Sequence, residues 1–365
     1  MVKLDQIQET IKPELAKLNA IIADTLKSPS ALTNHIVTDY LRTKGKQIRP
    51  VLVLLSAKLF NGINERVLNA GAAIELLHNA SLIHDDVIDQ SMSRRGLPTV
   101  NSVWDNHVAV LVGDFFVSGA LSCAVRAGDI RVLNSLSTMG ADLAMGEIDQ
   151  IDNARSREIT EEVYMTIISR KTASLFTSCV EVGGITAGAD EESLKKLKRF
   201  AELLGQCFQI KDDTFDYFHD PVVGKPTGND LREGKITLPL IYALGRKELP
   251  ECEEMNKLAH KQELNDEEIN QLVEFAKTAG GIDYAFRTME RLRQEAEALL
   301  ADFPASETVD AFKSIFSYII TRNKKNSPHI KQKNAQNLGV FFFPDFQNLE
   351  SFESSNFRNL DLSNF

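Results

Sequence analysis

Apolar positions recur every three or four residues along most of the chain, the period of an α-helix rather than the alternation of a strand. Within residues 4–43, Leu15, Leu18 and Ile22 keep this spacing, and Ser28-Pro29-Ser30 breaks it. The apolar run Val51 to Phe60 follows Pro50, which suits a first helical turn, and Gly45, which suits the turn before it. Val67, Ala70, Ile74, Leu77, Ser81 and Val87 set out one long helix over residues 65–90, and residues 91–99 read as a polar loop closed by Pro98. Trp104, Val108, Leu111 and Phe115 continue the helical period through residues 100–146, where Gly140 and Gly146 mark close helix packing. A helix over 160–187 starts at Thr160-Glu161-Glu162 and is interrupted at Gly183-Gly184 and Gly188. Residues 200–218 and 260–322 are helical again, the last part carrying Phe312, Ile315, Phe316, Ile319 and Ile320 on one face. No segment sustains strand alternation, so the predicted fold class is all-α.

Beyond Lys325 the pattern changes. Seven of the 20 phenylalanines lie there among Asn, Ser and Asp, with no helical period. The chain therefore divides into a helical domain, 1–325, and a C-terminal tail, 326–365, which reads equally as a disordered appendage, a partner-binding peptide or sequence with no selected function. Charge narrows the function: 41 basic against 51 acidic residues give −10, which argues against a general binder of nucleic acid or anionic membrane. Cys123, Cys179, Cys207 and Cys252 are far apart with no CxxC, so no zinc ribbon or disulfide framework is indicated. The start has no apolar signal region and no run approaches the ~18 apolar residues of a membrane span, so a cytoplasmic location is expected.

The chemistry is concentrated in two clusters. In His84-Asp85-Asp86-Val87-Ile88-Asp89, Asp85 and Asp89 lie one helical turn apart. Three carboxylates in five residues repel one another unless cations sit between them. Hard oxygen donors on one face suit Mg²⁺, which fills its shell with water and phosphate oxygens. Arg94 and Arg95 follow, offering planar donors for phosphate. Alone, such a cluster is equally well a solvated acidic face. The device recurs 127 residues on (212 − 85), as Asp212-Asp213-Thr214-Phe215-Asp216, with Gln209, Asp212 and Asp216 on one face. Basic loops follow it at Gly224-Lys225 and Gly234-Lys235. Two acidic faces, each followed by a basic loop, would cage Mg²⁺ around a diphosphate. Lys46 and Arg49 fall at a helix N-terminus, where anions are already favoured, and His78 lies two turns before Asp85.

This ordered set resembles the trans-isoprenyl diphosphate synthases, the polyprenyl synthetase family, from about residue 15 to 322. The supporting motifs are Gly45-Lys46-x-x-Arg49-Pro50, Glu75-Leu76-Leu77-His78, both aspartate clusters, Arg94-Arg95-Gly96, Gly113-Asp114, Lys171-Thr172, Phe208-Gln209, Gly224-Lys225 and Gly234-Lys235. The resemblance implies an all-α isoprenoid synthase-type bundle around a deep central cavity, working as a homodimer. It implies condensation of isopentenyl diphosphate onto an allylic diphosphate, with about three Mg²⁺ per site. The metal candidates are Asp85, Asp86, Asp89, Asp212, Asp213 and Asp216. Lys46, Arg49, His78 and Arg95 match the isopentenyl diphosphate site. Arg94, Lys171, Thr172, Gln209, Lys225 and Lys235 match the allylic site. Asp85, Asp89, Asp212, Lys171, Lys225 and Arg94 form the implied catalytic set. Met92 and Ile236 depart from the family's usual residues without touching a ligand.

Short-chain members place aromatic rings just before the first motif; here those positions are Ala80 and Ser81, with small Gly119, Ala120, Cys123 and Ala124 further down. A long product of roughly eight to eleven isoprene units is expected by analogy, with quinone side chains as its natural use and transient membrane contact on release. The alternatives are a short- or medium-chain synthase, a class I terpene cyclase, an HD-type phosphohydrolase and a non-catalytic subunit. The second intact aspartate cluster and the Lys46/Arg49/His78 set argue against the last three.

Overall fold

The helix that carries the first aspartate cluster is the centre of the bundle. The structure, a computed structural model, describes residues 4–42, 45–94, 96–157, 160–218 and 227–322. Arg95, Gly224, Lys225 and the tail 326–365 lie outside the described residues. The chain opens with α1 (Leu4–Glu9), α2 (Lys12–Thr25), α3 (Ala31–Leu41), α4 (Ile48–Leu59) and α5 (Glu65–Ile88). After a short hairpin of β1 (Ser93–Arg94) and β2 (Leu97–Pro98) come α6 (Val100–Val103), α7 (Asn106–Ala127), α8 (Ile130–Ser156) and α9 (Glu161–Ile168). A π-helical turn, Ser169–Ala173, leads into α10 (Ser174–Thr186) and α11 (Glu191–Phe215). The remainder is α12 (Asn229–Arg232), α13 (Leu238–Leu244), α14 (Cys252–Ala259), α15 (Asp266–Thr278), α16 (Gly281–Leu300) and α17 (Glu307–Thr321).

Helix α5 packs against α2, α4, α7, α8 and α10. It starts where the Asn64 side chain accepts from Val67 N at 3.0 Å. The main core joins Leu52, Leu54, Ile74, Phe116, Phe176 and Phe200, all fully buried. Phe200 meets Phe312 and Phe316 edge-on at 5.4 and 5.7 Å. Each such side chain stabilises the fold by about 1.5–3 kcal/mol relative to exposure. A second core of Leu240, Ile269, Leu272, Val273 and Phe275 holds α13–α15 together and supports the loop that enters the site.

The all-helical expectation is met, with four local differences. Residues 100–146 are three helices, because Asp105 caps α7 through Val108 N at 2.8 Å and Gly128, at φ 70°, ends it. Gly183 and Gly184 do not interrupt α10. They are packing positions: a Cβ on Gly183 would stand 2.4 Å from Val53 O, and one on Gly184 2.7 Å from Leu194 Cδ1. The polar loop 91–99 contains a two-residue antiparallel ladder, Ser93 opposite Pro98 and Arg94 opposite Leu97. Finally, α7 is long and apolar enough to cross a membrane by length and composition. One of its faces, with Phe116, Ala120 and Cys123, is core, while Leu111, Leu121 and Val125 remain exposed.

Candidate active site

The last turn of α5 builds one wall. Asp86 is buried, and Arg94, aimed by the hairpin, donates to Asp86 Oδ1 from Nε and from Nη2, each at 2.8 Å. Asp85 faces α8 and the π-helical turn, where Glu147 and Lys171 lie. Burial pushes the Asp85 carboxyl up to about 6; Lys171 and Arg94 oppose this, and Glu147 and Asp89 add to it. Asp89, exposed at the C-cap, completes the face. His84 turns away, its Nε2 3.2 Å from Val110 O and 3.6 Å from Asp114. Gly113 is required there, since a Cβ would stand 2.1 Å from that same Nε2.

The end of α11 builds the other wall, and its three aspartates have three different surroundings. Asp212 is half-buried and accepts from Arg322 Nη2 at 2.7 Å; the guanidinium also stacks on Phe208, 4.1 Å from the ring centre. Asp213 is buried, with Tyr164 donating to Oδ2 at 2.6 Å and Gln209 to Oδ1 at 2.7 Å; burial raises its pKa. Asp216 caps the returning loop, accepting from Asn229 N at 3.0 Å and Asp230 N at 2.9 Å. The face predicted for Gln209, Asp212 and Asp216 is thus divided, with Gln209 joined to Asp213. Just before Asn229 and Asp230, Gly228 has φ 75° and no room for a Cβ against Ile269. Of the six expected metal ligands, Asp86, Asp212, Asp213 and Asp216 have protein donors, whereas Asp89 is exposed and Asp85 is half-buried.

Two lysines stand between the walls. Lys171 ion-pairs with Glu147, donates to Gln150 Oε1 at 3.1 Å, and acts electrostatically on both Asp85 and Asp213. Lys235 donates to Glu233 Oε2 at 2.6 Å. Its pKa is raised despite burial, by Glu233, Asp230 and Asp89. Next to Lys171, Thr172 Oγ1 donates to Gln209 Oε1 at 2.7 Å. The π-helical turn presents these groups, as such turns often do at functional sites. Its extra width is accommodated by glycines on both sides: a Cβ on Gly146 would lie 2.7 Å from Lys171 N, and one on Gly205 2.5 Å from Ala173 Cα. A cavity of about 140 Å³ results, lined by Gln150, Tyr164, Ile167, Lys171, Gln209, Asp213, Asp230 and Lys235.

The other expected residues are spread around this centre. Lys46 and Arg49 do sit at the start of α4; Lys46 Nζ contacts the Tyr318 hydroxyl, and Arg49 lies 5.8 Å from the Phe176 ring centre. His78 is buried in α5. Ala80, Cys123 and Ala124 are buried, and Cys123 Sγ lies 3.5 Å from Thr25 Oγ1, so this small-residue region is filled by helix packing. Ser81 is half-buried and donates to His78 O at 2.9 Å. Motif spacing missed Glu147, Gln150, Tyr164, Asp230, Tyr318 and Arg322. Glu147 and Gln150, one turn apart just after Gly146, carried a faint polar signal; Tyr164 reads as an ordinary core position.

Comparison with known proteins identifies the family. The family model described as Polyprenyl synthetase matches residues 30–276. Octaprenyl diphosphate synthase of Escherichia coli is 35% identical over 301 residues, covering 82% of this chain and 92% of that protein. A crystal structure of a decaprenyl diphosphate synthase from Rhodobacter capsulatus superposes with a TM-score of 0.81 at 31% identity, covering 87% and 98% of the two chains. That of geranylgeranyl pyrophosphate synthase from Bacteroides thetaiotaomicron gives 0.74 at 35% identity, covering 87% and 98%. The fold and the aspartate-walled cleft define an isoprenoid synthase-type prenyltransferase acting on isoprenyl diphosphates. Within that class, the chain belongs to the polyprenyl synthetase family.

Proposed function

We propose that the protein adds isopentenyl diphosphate head-to-tail, in successive rounds, to an allylic primer such as farnesyl diphosphate, giving a long all-trans polyprenyl diphosphate. The observation that carries this reading is the placement of Lys171, which pairs with Glu147 on α8 and lines one cavity with Asp213 of the second cluster and Lys235. A diphosphate placed there meets cationic groups from several elements of the fold.

The donor set fits Mg²⁺. Asp85, Asp89 and Asp212 supply hard oxygens from two walls, and burial disfavours the charged form of Asp85, which a bound cation would stabilise. Among the described residues no three acidic, His or Cys side chains converge into a closed metal cage. Those three aspartates would hold about three Mg²⁺, which when bound neutralise the departing diphosphate. Lys171 turns from Glu147 toward the allylic diphosphate, and Arg94, held by Asp86, supports the same group. Lys46, Arg49 and His78 orient the attacking substrate, while Ile167 and Ile168 keep water from the allylic cation. No side chain here is an evident base for the final proton; the released diphosphate is the acceptor.

The exposed apolar residues Leu111, Leu121 and Val125 on α7, with Met145 and Ile148 on α8, support a homodimer joined through these helices. A cytoplasmic enzyme feeding long chains to quinone synthesis, with brief membrane contact on release, completes the proposal. A shorter product is the second reading, favoured by the dense packing of Ala80, Cys123 and Ala124. Incubation with labelled isopentenyl diphosphate and farnesyl diphosphate, with Mg²⁺ or with EDTA, tests the reaction. Incorporation only with Mg²⁺ supports it, and none in either case rejects it.

A further inference from the structure

At the end of α8 one residue is unusual in two ways. Arg157 has φ 53° and ψ 22°, a left-handed backbone that a residue with a Cβ adopts only at a cost. Its side chain is buried, yet among the described residues no carboxylate pairs with it. A buried guanidinium without an opposite charge is costly as well. Glycine would remove both costs at this helix end, so the arginine side chain has a role that outweighs them.

That role is visible in what the guanidinium holds. Nη1 donates to Ala259 O at 3.2 Å and Nη2 to Gln262 O at 3.0 Å, so one planar fork grips the last residue of α14 and the turn after it. Gln262 Nε2 returns a bond to Arg155 O at 3.4 Å. Because α14 belongs to the second core, these bonds fasten that core to the end of α8. Gly234 is packed into the same junction: with φ 78°, a Cβ there would stand 2.9 Å from Ala154 O and 3.5 Å from Arg157 Nη2. The next residue is Lys235, whose N donates to Asp230 O at 2.7 Å. Asp216 holds the start of this loop through Asn229 and Asp230, and the junction at Arg157 holds its end. Ala154, Gly234 and Lys235 line the cavity that Lys171 also lines, and Arg157 stands behind that wall.

We propose that Arg157 is a positioning residue for the allylic diphosphate. By clamping the α14 turn to the end of α8 it holds the Gly234 backbone, and with it Lys235, in the cavity shared with Lys171. This rests on the reading of Lys235 as a diphosphate-binding residue. The clamp is geometric, since two carbonyls are met by two donors of one rigid plane, which the single ammonium of lysine does not reproduce.

Binding of farnesyl diphosphate with Mg²⁺, without isopentenyl diphosphate so that nothing is condensed, tests it by calorimetry. The proteins are wild type, Arg157→Gly, Arg157→Lys, Lys235→Ala and the double variant Arg157→Gly/Lys235→Ala, each shown by circular dichroism to be folded at the temperature used. Glycine suits the left-handed backbone, so Arg157→Gly removes the fork without straining the helix end. It is expected to weaken binding by about five- to tenfold, but by less than about twofold in the Lys235→Ala background, because an effect carried by Lys235 is lost with it. Arg157→Lys is expected to stay at least about threefold weaker than wild type. Wild-type affinity in Arg157→Gly, an equal loss in both backgrounds, or full rescue by Arg157→Lys overturns this inference alone. Wild type that binds no farnesyl diphosphate overturns the proposed function as well. If Arg157→Gly does not fold, Arg157→Asn, which also accepts the left-handed backbone, is judged by the same criteria.

Discussion

Arg94 donates two hydrogen bonds, each 2.8 Å, to one oxygen of Asp86. The middle aspartate of the first cluster thus anchors the hairpin that follows it. Asp86→Ala removes this buried carboxylate and leaves the Arg94 guanidinium without its partner. A double-mutant cycle with Arg94→Ala is expected to give a coupling of about 1–3 kcal/mol in thermal or urea unfolding. Independent effects of the two substitutions would remove the anchoring role.

Tyr164→Phe takes the hydroxyl donor from Asp213, which is buried. A loss of about 1–3 kcal/mol in unfolding free energy is expected, together with weaker diphosphate binding because Gln209 and Thr172 share the network. Calorimetry with inorganic pyrophosphate and Mg²⁺ measures the second effect.

Gly205→Ala pushes a methyl group into Ala173 at the π-helical turn. Overpacking of this kind costs about 1–3 kcal/mol. Because the displaced turn carries Lys171, kcat is expected to fall by at least about tenfold at temperatures where the variant is fully folded. An unchanged kcat would show that the turn does not set the lysine's position.

Asp85 gives a pH dependence. Its folded carboxyl, at about 6, lies above its ordinary 3.8, with burial as the main cause. Between those values the folded protein binds more protons than the unfolded chain, so metal-free stability falls as pH rises through about 4 to 6. Asp85→Asn is expected to flatten that slope and raise the melting temperature of metal-free protein at pH 7. Asp86 and Asp213, also raised by burial, leave a residual slope of the same sign. Melting curves in EDTA across this range provide the check.

The helices were readable because their apolar faces follow the 3.6-residue period, and both aspartate clusters because their spacing matches one turn. The division of labour among those aspartates was not readable. It depends on partners far away in sequence, such as Tyr164 for Asp213, and Arg322, 110 residues beyond Asp212. The π-helical turn was hidden for the same reason, since Gly146 and Gly205 on separate helices make room for it. Gly183 and Gly184 misled as helix breakers because only packing against Val53 and Leu194 reveals their purpose. Gly140 and Gly146 read alike in sequence, yet only Gly146 is in close packing.

The central claim is that opposed aspartate walls drive repeated condensation into a long chain. It is tested most directly by the mass spectrum of products from wild-type, Asp85→Asn and Asp212→Asn proteins given isopentenyl diphosphate, farnesyl diphosphate and Mg²⁺. The wild-type ladder is expected to end at roughly eight to eleven isoprene units, and the rate to fall by about 10²–10³-fold in each variant. A wild-type product ending at farnesyl or geranylgeranyl length, or variants as fast as wild type, would contradict it.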